Sequence, residues 1–346
     1  MGKPTTKDVA KAAGVSLATV DRVLNARAGV RQATVERVQK AIADIGFVRD
    51  LAAANLARSK EYRLVFLLPD HDDEFTDLVQ AAIAEANRSM AHERTVLAIA
   101  RAPANDPHKI AEALDALAPE RVDGVAIMAP ETPQVRDSIA RLDARGIAVV
   151  AFVSHQPTAE NAYYIGINNK AAGRTVGQLM ARFTGARQGS VLVLTESMLS
   201  RDSQERRLGF DAIMAKYAPR LQVCPSMESY GDPARAARVV EAALRARPDV
   251  VGVYLMNHDI KDTMRAIEAL GAAARAVIIG HELTPHTRSC LQSGAMDAVI
   301  TQDVGHLVRS SVRVLRARIA RLETVASQER IRIEIILREN MPEVSA

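Results

Sequence analysis

The sequence predicts an α/β protein with a small all-helical unit at its N-terminus. Three observations predict it. From Arg63 onward, short apolar segments alternate with amphipathic helical ones. Ahead of them stands a helix, a glycine turn and a second helix. The basic charge is concentrated in the first sixty residues, which hold eleven Lys and Arg against five Asp and Glu. The chain as a whole is only +4. A basic head on a near-neutral body points to a polyanionic partner for the head.

Thr5, with Asp8 three residues later, fits a capping box, so a helix is expected from Thr6. Val9, Ala10 and Ala13 share one face of it. Gly14 ends it, because glycine tolerates the left-handed backbone of a sharp turn. Val15 then packs inward, and Ser16 caps a second helix over Leu17–Asn25 with Val20, Val23 and Leu24 facing in. Arg27-Ala28-Gly29 reads as a loop. A third helix carries Val35, Val38, Ala41, Ile42 and Ile45 at helical spacing and stops at Gly46. Together these make a three-helix helix-turn-helix domain.

In such a unit the N-terminal side chains of the second helix meet base edges in the major groove. Those are Leu17, Ala18 and Arg22. An arginine donates two hydrogen bonds to guanine, whereas Leu17 and Ala18 offer apolar contact to a thymine methyl. Thr5, Ser16, Thr19, Asn25 and Arg31 are suited to phosphates, which position without specifying. The following segment, Asp50 to Arg58, favours a helix but is too short to be stable alone. It reads as a linker that becomes helical on DNA, with Asn55 and Leu56 in contact and Leu56 as a wedge between base steps.

In the body, strands are expected over 64–69, 95–100, 124–129, 148–153, 190–195, 250–256, 276–282 and 297–303. Helices are expected over stretches such as Phe75–His92, Asn169–Thr184, Ser203–Tyr217, Ala234–Arg247 and Gly305–Leu322. This alternation implies parallel sheets covered on both faces. Ligands bind such sheets beyond the carboxyl ends of the strands. That rule selects Asp72, Phe75, His155, Asn257, His258, Glu282 and Gln302. A cleft of mixed polar groups with one aromatic suits a polyol, and Phe75 is the ring to stack on it.

Other classes find little support. Two cysteines, Cys224 and Cys290, suggest neither a disulfide framework nor a zinc cluster. No apolar run reaches the ~18 residues of a membrane helix, and the N-terminus lacks a signal-peptide core. A cytoplasmic protein with no membrane partner is expected. The acidic run at 70–74 leads into a helix N-terminus, which favours anions, so it reads as a charge cluster and not as a metal site. No phosphate loop or catalytic constellation is present, so neither a cofactor nor enzymatic activity is expected.

The run TTKDVAKAAGVSLATVDRVLN, followed by IADIGFVRD and LAAANLARS, closely resembles the lactose-repressor (LacI-type) family without gaps from Thr5 to about Ser59. The body resembles that family's periplasmic-binding-protein-like sensor in VDGVAIM, YIGINNKAAGRTVGQLM, RRLGF and RIEIILRENMP. The resemblance implies a homodimer on a pseudo-palindromic double-stranded DNA operator. It implies paired Leu56 wedges, base reading by Leu17, Ala18 and Arg22, and Arg206 as a ligand contact. It also implies two lobes, with crossovers near Asn168, Gln302 and Gln328. The expected divisions are a head over 1–49, a hinge over 50–61 and a sensor over 62–340. Lobe 1 takes about 62–166 and 303–328, lobe 2 about 167–300 and 329–340. The expected function is a sequence-specific transcription regulator, a repressor answering to a small carbohydrate-like effector between the lobes. The alternatives are a solute-binding protein kept in the cytoplasm and an α/β enzyme with a DNA-binding appendage. The chain departs from the family at four places: Asp21 and Arg31 stand where Ser is usual, Asn168 replaces an Asp, and HELTPHTR replaces an Asp-bearing segment after the seventh strand.

Overall fold

The structure, a computed structural model, describes residues 4–24, 29–45, 47, 61–70, 73–159, 162–257 and 259–343. The chain divides into two compact units, Met1–Lys60 and Glu61–Ala346.

In the first unit, helices α1 (Thr6–Ala13), α2 (Leu17–Leu24) and α3 (Gln32–Asp44) enclose a small core of Val9, Ala13, Val20, Val38, Ala41 and Phe47. The Asp8 carboxylate accepts from both the N–H and the hydroxyl of Thr5, each at 2.7 Å. Those two bonds, hydroxyl first, hold Asp8 below the usual carboxylate range. Gly14 takes the left-handed conformation at φ +62°, and the Val15 N–H bonds back to the Ala10 carbonyl at 3.1 Å. This satisfies a helix-end carbonyl and turns the chain sharply into α2. Phe47, which the spacing argument passed over, closes the core beyond the end of α3.

The second unit holds two sheets. The first is built from β1 (Tyr62–Pro69), β2 (Thr95–Ala102), β3 (Gly124–Ile127), β4 (Ala148–Phe152) and β5 (Tyr163–Ile165), all parallel in the order β2-β1-β3-β4-β5. Helices α4 (Glu74–Ser89), α5 (Pro107–Asp115) and α6 (Pro133–Ala144) join them. Val65 and Leu67 pack under α5 and α6, while Leu64, Phe66 and Leu68 face α4. Burial on both faces is why these strands read as continuous apolar runs.

After β5 the chain crosses into the second sheet through α7 (Asn169–Phe183). There follow β6 (Gly189–Thr195), α8 (Arg201–Tyr217), β7 (Leu221–Glu228), α9 (Pro233–Ala246), β8 (Val250–Leu255), α10 (Lys261–Ala269), β9 (Val277–His281), α11 (Pro285–Ser293) and β10 (Ala298–Thr301). Helix α12 (Val304–Ala320) returns to pack on the first sheet. A strap over 321–333 then leads back to β11 (Glu334–Ile336), antiparallel to β10. The order is β11-β10-β9-β8-β6-β7. The chain therefore passes between the sheets three times, at 166–168, 302–303 and 321–333. The strap is fastened to α12: Arg313 makes a two-pronged ion pair with Glu329 at 2.9 and 2.8 Å, and His306 Nε2 donates to the Gln328 carbonyl at 3.0 Å.

Three strands are absent from the sequence expectation: β5, β7 and β11. Strand β7 carries Pro225 in mid-strand, which a central strand would not accept. It lies at the sheet edge, and its register against β6 shifts between Val191 and Val193.

Helices α7 and α8 approach backbone to backbone. A Cβ at Gly173 would sit 1.9 Å from the Arg206 carbonyl oxygen, and one at Gly209 would sit 2.1 Å from that of Lys170. Neither carbonyl can move without breaking its helix. Gly173→Ala is expected to destabilise the body by at least about 1–3 kcal/mol, the usual cost of overpacking, read as a lower denaturant midpoint. An unchanged midpoint would show that the helices separate freely.

Candidate functional site

On the head, α2 buries Val20 completely and exposes Leu17, Ala18 and Arg22. Leu17 keeps 46% of its surface in water, a large apolar side chain held out at a helix start. Ser16 Oγ accepts from the Thr19 N–H at 3.1 Å and pairs with the Thr19 hydroxyl at 2.9 Å. The first turn of α2 is thereby fixed, and the helix N-terminus beside it favours anions. Arg31 is exposed on extended backbone just before α3. Asn25, Asn55 and Leu56 lie outside the described residues, as do Asp72 and His258 of the body.

In each sheet of the body the strand order reverses beside its first strand: β2 and β3 flank β1, and β7 and β8 flank β6. Crevices open at the carboxyl ends of such switch points. The loops there meet across the lobes. Glu74, first residue of α4 in the first lobe, reaches the second: its Oε1 lies 2.8 Å from Lys261 Nζ, and its Oε2 accepts from the His286 N–H at 2.9 Å. The His155 N–H, after β4, points at Asp202 Oδ1 on α8 from 3.5 Å.

The close packing of α7 on α8 sets a chain of polar groups against this crossing. Arg206 Nε donates to Asn169 Oδ1 at 2.8 Å, and Asn169 Nδ2 donates to Asp202 Oδ1 at 2.9 Å. Arg206 is only 6% exposed. Burial pushes the Asp202 carboxyl above the usual range, against the pull of Arg206. Tyr164 faces this group from the first lobe, its ring 4.4 Å from that of His155. Its hydroxyl donates to the carbonyls of Val153 and Ile167 at 3.1 and 2.8 Å. A Cβ at Gly166 would meet that hydroxyl at 2.3 Å, so a side chain there would displace the Tyr164 ring.

Glu282 and Gln302 are bonded to one another: Gln302 Nε2 donates to Glu282 Oε1 at 2.9 Å, and the Thr301 hydroxyl donates to Oε2 at 3.2 Å. Glu282 sits at φ +62°, as does Val153 after β4. Non-glycine residues adopt that region at a cost of about 1–3 kcal/mol, and they concentrate at functional sites. Asn257 is nearby in the fold but turned to Ser229, whose hydroxyl accepts from its Nδ2 at 2.8 Å. Phe75 is buried in the core with Phe66 and Phe152. Tyr254 and His281 lie beneath, joined by a 2.8 Å hydrogen bond.

The structure thus joins Arg206 to Asn169 and Asp202, with His155 opposite, and separately joins Glu282 to Gln302. Sequence reasoning passed over Asp202, Asn169 and Tyr164. Asp202 was accessible, since it stands one helical turn before Arg206 and so shares its face. Among the described residues no group of acidic, His or Cys side chains could hold a metal ion, and no helix is long and apolar enough to cross a membrane.

A helix-turn-helix head ahead of a two-lobed α/β body is the arrangement of a DNA-binding transcription regulator that senses a small molecule. Over residues 64–321 the chain belongs to the family described as periplasmic binding protein domain, and its residues 5–50 match the model described as bacterial regulatory proteins, lacI family. It is similar to the maltose regulon regulatory protein MalI of Escherichia coli (strain K12), 28% identical over 258 residues, 75% of this chain and 73% of that protein. Its fold is that of GanP, a glucose-galactose binding protein from Geobacillus stearothermophilus: TM-score 0.72, 20% identity, covering 82% of this chain and 100% of that one. A solute binding protein from Burkholderia graminis C4D1M, in complex with D-arabinose, superposes with TM-score 0.72 and 22% identity, covering 83% of this chain and 99% of that one.

Glu74 supplies a test of the crossing contacts. Partial burial raises its pKa, but Lys261, Thr284 and the His286 N–H outweigh this and hold it below the usual range. A depressed carboxyl stabilises the fold above its unfolded pKa and loses that contribution as pH falls through the folded one. Glu74→Gln should therefore lower the thermal midpoint modestly at pH 7, with the gap to the parent closing below pH ~4. A gap independent of pH would show that the Glu74 charge contributes nothing.

Proposed function

We propose that this regulator is a repressor controlled by a sugar or related polyol bound in the cleft between the lobes. The observation that carries the reading is the buried chain Asp202–Asn169–Arg206, facing Tyr164 and His155 of the other lobe. A buried guanidinium is costly unless hydrogen bonds satisfy it. Asn169 takes only its Nε, and a hydroxylated ligand would supply acceptors for the rest. The D-arabinose complex and the glucose-galactose binding protein of the same fold support a sugar.

The proposed divisions are a head over 1–49, a hinge over 50–61 and a sensor over 62–340, in the cytoplasm. Two copies would bind a pseudo-palindromic operator, as the two-fold symmetry of a dimer requires. Leu17, Ala18 and Arg22 would read bases. Thr5, Ser16, Thr19, Asn25 and Arg31 would hold phosphates, and Asn55 with the Leu56 wedge would act at the operator centre. Ligand contacts would come from Arg206, Glu282, Gln302, Asn257 and His155, with Asp72 and His258 completing the pocket; the Phe75 ring expected to stack on the ligand is instead buried in the core of the first lobe. The cleft is read as a binding site, with no catalytic role assigned. The effector acts by binding open and closed lobes with different affinity, since equal affinity would switch nothing.

Operator binding, followed by gel shift and footprinting with and without monosaccharides, tests the reading. A sugar that changes operator affinity is expected; DNA binding indifferent to every sugar would overturn it. Arg22→Ala should cost about 1–3 kcal/mol and relax preference at one base pair, whereas a uniform loss across sequences would make Arg22 a phosphate contact. Leu56→Ala should abolish specific binding and leave nonspecific binding in place.

A further inference from the structure

The cleft carries information on the chemical class of its effector, an inference that rests on the sugar-sensor reading above. Gln302 is 3% exposed. A carboxylate only accepts, so the Gln302 atom facing Glu282 must be the amide nitrogen. This fixes the orientation of the side chain and leaves Oε1, buried, with no protein partner. On the other lobe Gln156, 2% exposed, repeats the arrangement: its Nε2 donates to the Ala129 carbonyl at 2.7 Å, and its Oε1 has no protein partner. Asn257 gives its Nδ2 to Ser229 and keeps a buried Oδ1 without one. At the carboxyl ends of the strands the amide donors are thus consumed internally and the acceptors remain.

The charged groups have the same polarity. Glu282 and Asp202 are carboxyls. Lys261 is engaged by Glu74. Arg206 is a buried cation with no carboxylate among the described residues within ion-pair distance, its Nε held by the neutral Asn169 amide. A phosphate brings several strong acceptors and close to two negative charges. Here it would face unpaired carbonyl oxygens and two carboxyls with one guanidinium to oppose them. Hydroxyl groups fit: each donates one hydrogen to an amide or carboxyl oxygen and still accepts from Arg206.

We infer that the effector is an uncharged, unphosphorylated polyol, recognised by the hydrogens its hydroxyls donate to Gln302, Gln156 and Asn257, and that phosphorylated and acidic sugars are rejected. Thr263, whose buried hydroxyl also lacks a hydrogen-bond partner in the protein, sits on α10 and takes no part in this.

The test is calorimetric titration of the full chain with two sets of probes. The neutral set is D-ribose, D-arabinose, D-glucose, D-galactose, D-allose and myo-inositol. The anionic set is ribose 5-phosphate, glucose 6-phosphate, galactose 6-phosphate, gluconate and galacturonate. A neutral compound is expected to bind, with its own phosphate or acid at least 10-fold weaker. Gln302→Leu should weaken that neutral ligand at least 10-fold, with the sugar-free unfolding midpoint as control for folding. Anionic sugars binding as tightly as their neutral parents, or a well-folded Gln302→Leu that keeps full affinity, would overturn the inference and leave the sugar sensor standing. Binding by no probe of either set would remove the sugar-sensor reading itself. Should Gln302→Leu fail to fold, the comparison of the two sets on the parent chain still decides.

Discussion

The contact on which the body depends is the approach of α7 to α8. Gly173 and Gly209 let two helix backbones touch where any side chain would collide with a carbonyl oxygen. Gly177 continues the seam against Ile213. Because both contacts are made by backbone, the relative height of the two helices is set to a fraction of an ångström. That height brings Asn169, at the start of α7, level with both Asp202 and Arg206 on α8. Dispersion and exclusion, not electrostatics, thus determine where the charged groups stand. The electrostatic cost of a buried guanidinium is met afterwards, by partners that packing has already delivered.

Much of the fold was legible because its strands are buried on both faces. Runs such as LVFLLP and SVLVLT lack polar interruption, and the intervening segments carry helical spacing and good caps. Asp73, Asp106, Thr132, Asn168, Asp232, Thr284 and Asp303 all accept from backbone N–H groups at helix starts. Edge strands were not legible. β7 has a proline and a register shift, and β5 and β11 are three residues each, too short for alternation to register. In the head, Gly14 and the Thr5–Asp8 pair marked the turn and the cap, while Phe47 was hidden beyond the last periodic residue.

The candidate site was legible in part, for a reason that lies in topology. Strand carboxyl ends can be read once strands are found, which is how Glu282, Gln302, Asn257 and His155 were reached. The groups that lie within helices, Asn169 and Asp202, needed the packing of α7 on α8. Tyr164 needed the crossover at Gly166. Phe75 shows the opposite case: its place after β1 suggested a ring presented to ligand, and the fold turns it into the core of the first lobe. The departure HELTPHTR becomes intelligible in three dimensions. Its glutamate is held by Gln302 and Thr301 from the neighbouring strand, and Thr287 Oγ1 donates to its backbone carbonyl at 2.8 Å.

The three crossings have a mechanical consequence. A single tether between two bodies lets them swivel, slide and bend. Three tethers side by side, one of them riveted to α12 by Arg313 with Glu329 and by His306 with Gln328, resist torsion and shear and leave flexure as the soft mode. Work done by a ligand on the lobes is then channelled into one coordinate instead of being spread among several.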